Sequence, residues 1–250
     1  MLYAIGDLHL SLAAGKPMDI FGGAWDGYLP KIEQGLSALT EADTLVLAGD
    51  TSWGMSLGGA LADFQFLERF PCRKLLVKGN HDYFWETAAK MKRFFAENGL
   101  YTFDVLHNNS FLVGDTAVCG TRGWFYEEEE RHRPARRESS FSKPDRGPRM
   151  ALDTSHDAKL LNRETLRLRA SLEAGRALGG EPAVFLHYPP LYEGYRCDPL
   201  VGVMTEYGVK RCYFGHLHGH ARSRAIEGAY RGIEYRLISA DHLGFAPARV

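Results

Sequence analysis

Six short apolar runs recur along the chain, each closed by glycine or a polar residue: "LYAIGD", "TLVLAGD", "KLLVKGN", "TAVCGTRGW", "AVFLHYPP" and "RCYFGHLH". Runs of four to six apolar residues that end in a turn-forming group read as strands buried on both faces. Helical periodicity separates several of them, at about 30–40, 57–70, 84–98, 157–178 and 198–207. In the second of these, Leu57, Leu61, Phe64 and Leu67 share one face. Strand and helix in alternation predict an α/β fold. One segment breaks the pattern. Residues 127–149 carry seven Lys or Arg, six Asp or Glu and three prolines, without an apolar period. A charged surface loop is expected there, with a flap over a site as the sharper alternative. No repeat and no linker divides the chain, so a single domain spanning 1–250 is expected.

Composition narrows the class. At 250 residues, with 45% apolar and 12% aromatic content, the chain can bury one large core. Thirty basic residues against 31 acidic leave a net charge of -1, so no global field selects nucleic acid or an anionic membrane. Cys72, Cys119, Cys197 and Cys212 are widely spaced with no C-x-x-C pair, which suits neither a disulfide framework nor a thiolate zinc site. "MLYAIGDLHL" runs straight into a strand without a leader-like pattern, and no apolar run approaches the length of a membrane span. A cytoplasmic protein with no membrane partner is expected.

The chemistry gathers where the strands stop. "AIGDLHL" ends in Asp7 and His9, "VLAGDTS" in Asp50, and "LVKGNHDYF" in Asn80, His81 and Asp82. "VFLHYPP" ends in His187, and "YFGHLHGH" in His216 and His218. Loops at the carboxyl ends of strands form the ligand crevice of open α/β sheets, so residues far apart in sequence can converge there. The steps from Asp7 to Asp50, Asp50 to Asn80 and His187 to His216 are each about 30 residues or more, long enough for a strand and a crossover helix. Two aspartates, one asparagine and four histidines make a nitrogen and oxygen donor set without sulfur, suited to Mn²⁺, Fe, Zn²⁺ or Mg²⁺. Seven donors exceed one tetrahedral ion. Two ions sharing a carboxylate, about 3.5–4 Å apart, would use them all.

The ordered series D-x-H, G-D, G-N-H-D, H-x-P and G-H-x-H, from residue 7 to residue 218, resembles the calcineurin-like metallophosphoesterase superfamily, especially its uncharacterised bacterial phosphohydrolases. The resemblance implies a four-layer α/β/β/α fold of two packed sheets with helices outside. It also implies one metal on Asp7, His9, Asp50 and His218 and a second on Asp50, Asn80, His187 and His216, with Asp50 bridging. Two divalent ions, manganese first, would then activate a bridging hydroxide for in-line attack on phosphorus. His81, beside Asn80 but assigned to no metal, would face the leaving group as general acid or hydrogen-bond donor. Asp82 would orient His81 or cap the next turn. Asn80 and Arg122 are candidates for contact with substrate phosphate, Arg122 with a surface ion pair as its alternative.

The run after G-D, "GDTSWGMSLGG", lacks the Asp-Arg-Gly of the protein serine/threonine phosphatases, which argues against a phosphoprotein substrate. The expected function is a metal-dependent phosphoester hydrolase acting on a small phosphodiester or nucleotide-type substrate. A phosphomonoesterase, a nuclease and a non-catalytic protein-binding scaffold are the alternatives. Nucleic acid has little support, because the arginine-rich stretch at 127–149 is nearly balanced in charge. His220 is expected at the surface or behind the metal ligands. His107, His132, His156 and His242 belong to no motif. Trp53, Trp85, Trp124 and Tyr188 flank the motif loops and are expected to pack in the core or at its rim, with stacking on a base or lining a substrate pocket as the alternative.

Overall fold

The structure is a computed structural model that describes residues 1–124 and 154–250, with side chains after the gap from residue 157. The charged stretch at 127–149, with its loop and flap readings and His132, lies outside the described residues, as does the side chain of His156.

The first half of the chain builds one sheet. Strands β1 (Leu2–Ile5), β2 (Thr44–Ala48), β3 (Arg73–Val77) and β4 (Phe103–Val105) run parallel in that order, and β13 (Ala248–Arg249) joins β1 antiparallel. The second sheet has six strands in the order β11-β12-β10-β7-β6-β5. They are β5 (Ser110–Val113), β6 (Thr116–Thr121), β7 (Glu181–Leu186), β10 (Arg211–Phe214), β11 (Gly228–Tyr230) and β12 (Ile233–Leu237). The four central strands are parallel, and both edges are antiparallel. A small hairpin, β8 (Leu191–Tyr192) with β9 (Tyr195–Arg196), follows β7.

Strand alternation explains the layering, because successive side chains face opposite sides. In β2, Leu45 and Leu47 meet helices α1 (Tyr28–Ser37), α2 (Leu61–Glu68) and α3 (Ala88–Glu97), whose Ile32, Leu36, Phe64, Leu67, Met91 and Phe95 complete that layer. Val46 and Ala48 face the other way, onto Val118, Ala183, Phe185 and Tyr213 of the second sheet. The alternate residues of that sheet, among them Val184, Leu186, Cys212 and Phe214, meet α4 (Thr154–Leu178) and α5 (Asp198–Glu206). Two apolar faces per strand are why these runs show no polar alternation. The α/β/β/α order expected from the sequence is present, two large mixed sheets flanked by helices. Each fully buried Val, Leu, Ile or Phe contributes about 1.5–3 kcal/mol. Such a frame tolerates strained loops at its rim.

The six apolar runs form β1, β2, β3, β6, β7 and β10, and the five helices fall where periodicity placed them. The edge strands were not anticipated. β4, β5, β8, β9, β11 and β13 have two to four residues each, too short for a periodic signal. β12 does carry one: Ile233, Tyr235 and Leu237 are buried while Glu234 and Arg236 are exposed. Among the described residues no helix is long and apolar enough to cross a membrane. All four cysteines are buried free thiols.

Candidate metal centre

The loops that follow β1 and β2 continue the parallel ladder past the strands. Asp7 N donates to Gly49 O at 2.9 Å, His9 N to Asp50 O at 2.9 Å and Leu10 N to Thr51 O at 3.0 Å. This pairing carries Asp7, His9 and Asp50 to one end of the first sheet. All three, and His216, have positive φ, at 57° for Asp7, 47° for His9, 50° for Asp50 and 70° for His216. Left-handed backbone is disfavoured for such residues and persists where surrounding structure enforces it, commonly at functional sites.

A glycine precedes four of the candidate ligands, and each lets two loops close on one another. A Cβ on Gly49, itself at φ 89°, would lie 2.6 Å from His187 Nδ1, and one on Gly215 would lie 2.6 Å from Asp7 Oδ2. A Cβ on Gly79 would overlap both the amide nitrogen and Oδ1 of Asp50. Gly79→Ala is therefore expected to destabilise the fold by roughly 2–3 kcal/mol, as overpacking against fixed backbone does. The urea unfolding midpoint measures this; a midpoint within error of wild type would show that the two loops are not held this closely.

The second sheet supplies the remaining donors. His216 N donates to both carboxylate oxygens of Asp7, at 2.8 and 3.1 Å, which ties the loop after β10 to the loop after β1. His187, beyond β7, sets Nδ1 3.2 Å from Ala48 O and Nε2 2.6 Å from Asn80 Oδ1. His216 Nδ1 lies 3.0 Å from the same Asn80 oxygen. Asp50 Oδ2 stands 3.7 Å from His9 Nε2 and 3.6 Å from His187 Nε2. Donor atoms of Asp7, His9 and His218 converge within 4.8 Å, and so do those of Asp7, Asp50 and His187. All seven residues singled out from the sequence thus lie in one cluster. Asp7 also falls in the group with His187, closer to it than the sequence resemblance anticipates.

The electrostatics fit a cation. Burial, then the neighbouring Asp50, pushes the Asp7 carboxyl well above its ordinary range, and burial raises Asp50 to about 6. Burial holds His187 down to about 3 and His9 and His216 well below the ordinary imidazole range; it lowers His218 as well. Neutral imidazoles keep a lone pair for a metal, and desolvated carboxylates lack a counter-charge that a divalent ion would provide. Two further observations agree. Both ring nitrogens of His9 are buried without a hydrogen-bond partner. A neutral His187 has one proton, yet its two nitrogens face two oxygens; an ion beside Nε2 and the Asn80 oxygen would use both as electron-pair donors while Nδ1–H keeps Ala48.

Asp82 is tied to the backbone. Its carboxylate accepts N–H bonds from Gly79 at 2.6 Å, Thr51 at 2.8 Å, Asp50 at 3.0 Å and Ser52 at 3.3 Å. It joins the loops after β2 and β3. The ring of His81 instead has Tyr83 as partner, with Nδ1 3.2 Å from the phenolic oxygen. Its backbone N–H donates to Asp50 Oδ1 at 2.7 Å. The face of its ring lies 4.5 Å from Trp53, centre to centre.

His81, His9 and His218 open into a cavity of about 610 Å³ whose walls include Trp25, Trp53 and Asp241. Trp53 stacks on His9 at 5.1 Å, and Trp25 meets His9 edge-on at 6.0 Å. His220 is exposed at the cavity rim. Trp25, Tyr83 and Asp241 were not singled out from the sequence. Asp241 is the one with a readable signal, an acid just past a strand end in "YRLISAD", the pattern that exposed Asp7 and Asp50. It is buried, accepts from Gly219 N at 2.7 Å and acts on the charge of His218. Arg122, half-buried past β6, makes no ion pair among the described residues.

Two sheets whose loops meet in a histidine and aspartate cluster define a hydrolase-type metal site. The calcineurin-like phosphoesterase model matches residues 2–220, and the chain belongs to this family of metal-dependent phosphohydrolases. The family depends on two metals, and this chain has candidate ligand groups for them. No curated protein matches the sequence. Among solved structures, the chain is similar to a protein of unknown function, AQ665, from Aquifex aeolicus, at 15% identity and a TM-score of 0.48, covering 99% of this chain and 94% of that one. It is also similar to TT1561 of Thermus thermophilus, at 13% identity and a TM-score of 0.48, covering 87% of this chain and 81% of that one.

Proposed function

We propose that the protein is a dinuclear phosphodiesterase acting on a small, nucleotide-sized substrate. The supporting observation is the adjacency of the donor cluster to an aromatic cavity of about 610 Å³. A diester carries a second organic group. Trp25, Trp53 and Met18 offer a base or other flat apolar group a surface on the His81 side of the centre.

Asp7, His9, Asp50 and His218 are the residues for one ion, and Asp50, Asn80, His187 and His216 for the other. When bound, the two ions supply an activated water at neutral pH and neutralise charge on the phosphoryl oxygens. Manganese is the first choice of metal on donor chemistry, with iron, zinc and magnesium as the others. His81 works from the cavity side. In the tautomer whose Nδ1 accepts from the Tyr83 hydroxyl, 3.2 Å away, Nε2–H is left to donate to the departing oxygen. Burial lowers its pKa, with Asp50 opposing, so the neutral imidazole holds that N–H at neutral pH. Asp82 serves as a brace that fixes Asp50 and Asn80 relative to each other, rather than as an acid or base.

The test compares bis-p-nitrophenyl phosphate with p-nitrophenyl phosphate, using chelator-stripped protein with Mn²⁺ restored. Mn²⁺-dependent turnover with kcat/KM greater for the diester by tenfold or more is the expected result, on the order of one organic group bound in an apolar pocket. Faster monoester turnover would reject the diesterase reading. No turnover of either ester, with two ions bound per chain, would favour a non-catalytic role.

A further inference from the structure

Part of the cavity wall is Asp241, a carboxylate that belongs to neither proposed ligand set. The fold places it beside one of them. Gly6 N donates to Ile238 O at 2.7 Å and Ala240 N to Gly6 O at 2.9 Å, so the chain leaving β12 runs alongside the residue just before Asp7. Ile238 N donates to Phe214 O at 2.8 Å, at the end of the strand that leads to His216 and His218. Asp241 then turns back, and its Oδ2 accepts at 2.7 Å from the N–H of Gly219, the residue after His218. The carboxylate is thus tied to the loops of two candidate ligands of one ion, and it lines the cavity together with His9 and His218.

What this carboxylate lacks is a counter-charge. Its side chain is wholly buried, and Oδ1 has no hydrogen-bond partner among the described residues. Arg222 is the one Lys or Arg in ion-pair range of it among those residues, with Nε 3.5 Å from Oδ2. That guanidinium gives its N–H groups to backbone instead, Nε to Gly219 O at 3.0 Å and Nη1 to Asp241 O at 2.8 Å. It is also partly exposed, so solvent screens its offset. Asp7 and Asp50 have only imidazoles in ion-pair range among the described residues. Buried carboxylates persist where they are paired or serve a metal. An ion on Asp7, His9, Asp50 and His218 would bring the positive charge that Oδ1 is missing.

We propose that Asp241 is a positioning residue for that ion: Oδ2 fixes the His218 loop through Gly219 N, and the charge on the unpartnered Oδ1 strengthens the hold on the ion without ligating it. This rests on the two-ion reading and goes beyond it. Groups behind the ligands orient them and change metal affinity by about 10- to 100-fold. The ion on the cavity side is then tuned separately from the one on Asn80, His187 and His216.

Isothermal titration of chelator-stripped protein with Mn²⁺, without substrate, compares wild type with Asp241→Asn and Asp241→Ala. Asparagine keeps an acceptor for Gly219 N and removes the charge, whereas alanine removes both. In Asp241→Asn one of the two ions is expected to bind roughly 10- to 100-fold more weakly and the other within about twofold of wild type, with no fall in the metal-free unfolding midpoint. His218→Ala should weaken the same ion, and Asp241→Asn added to it should weaken that ion little further, as for two residues that act through one site. Wild-type affinity of Asp241→Asn for both ions would overturn the proposal, because a brace alone needs no charge. An equal loss of both ions would overturn it too, since disruption of the loops would then be the cause. If the alanine variant does not fold, the asparagine variant decides. Wild-type protein that takes up one Mn²⁺ per chain would reject the two-ion reading, and the affinity of Asp241→Asn for that ion would still decide the role of Asp241.

Discussion

Asp50→Asn is expected to lower turnover of bis-p-nitrophenyl phosphate by more than about 10³-fold, because it weakens both ions at once. Oδ1 of Asp50 is engaged by His81 N, and Oδ2 sits between His9 of one ligand set and His187 of the other. A second readout does not depend on activity. Burial raises Asp50 to about 6, so in metal-free protein its ionised form is disfavoured. A carboxyl raised on folding contributes stability below its unfolded pKa, near 4, and that contribution is lost as pH rises through about 6. Above that pH the metal-free asparagine variant should be the more stable protein, by an amount on the order of 2 kcal/mol. Mn²⁺ should then invert the order, since ligand binding stabilises the wild type and far less the variant. Thermal unfolding at pH 5 and pH 8, with and without Mn²⁺, measures both effects. A variant that turns over at near wild-type rate, or takes up the full Mn²⁺ stabilisation, would exclude the shared position of Asp50.

Much of the candidate site was readable in the sequence because four of its seven residues, Asp7, Asp50, Asn80 and His216, are punctuated in the same way: a buried strand, then glycine, then Asp, Asn or His. Gly49, Gly79 and Gly215 show why the punctuation recurs, since a Cβ at each would collide with a ligand from another loop. Asp241 lacks the glycine, and only its place as an acid just past a strand end would have marked it, had β12 been recognised from its alternation. Tyr83 and Trp25 carry no comparable mark. An aromatic residue two positions after His81, or in the 3-10 turn at Gly23–Trp25, reads as ordinary packing until the loops are folded together. The contacts of Asp82 were also hidden, because its four partners are backbone amides of two loops, Asp50, Thr51 and Ser52 after β2 and Gly79 after β3, and no sequence pattern specifies them. The short edge strands escaped for a simpler reason: they are held by pairing with neighbours rather than by their own periodicity.

His81→Ala should retain both metals and still lose about 10² to 10⁴ in rate. The substitution keeps the backbone N–H that supports Asp50 Oδ1, so the ligand loops keep their anchor. What is lost is the ring held between Trp53 and the Tyr83 hydroxyl at the mouth of the cavity. If that ring assists departure, the defect must grow as the leaving group becomes more basic. An alkyl p-nitrophenyl diester, which expels p-nitrophenolate with little help, should be affected least, and a dialkyl-type nucleotide diester most. Elemental analysis of the purified variant, alongside rates on the two esters, distinguishes the possibilities. Loss of one ion would make His81 a ligand. An equal fall on both esters would place its contribution before bond cleavage, in binding or orientation, and the cavity would then be the site of substrate positioning rather than of leaving-group departure.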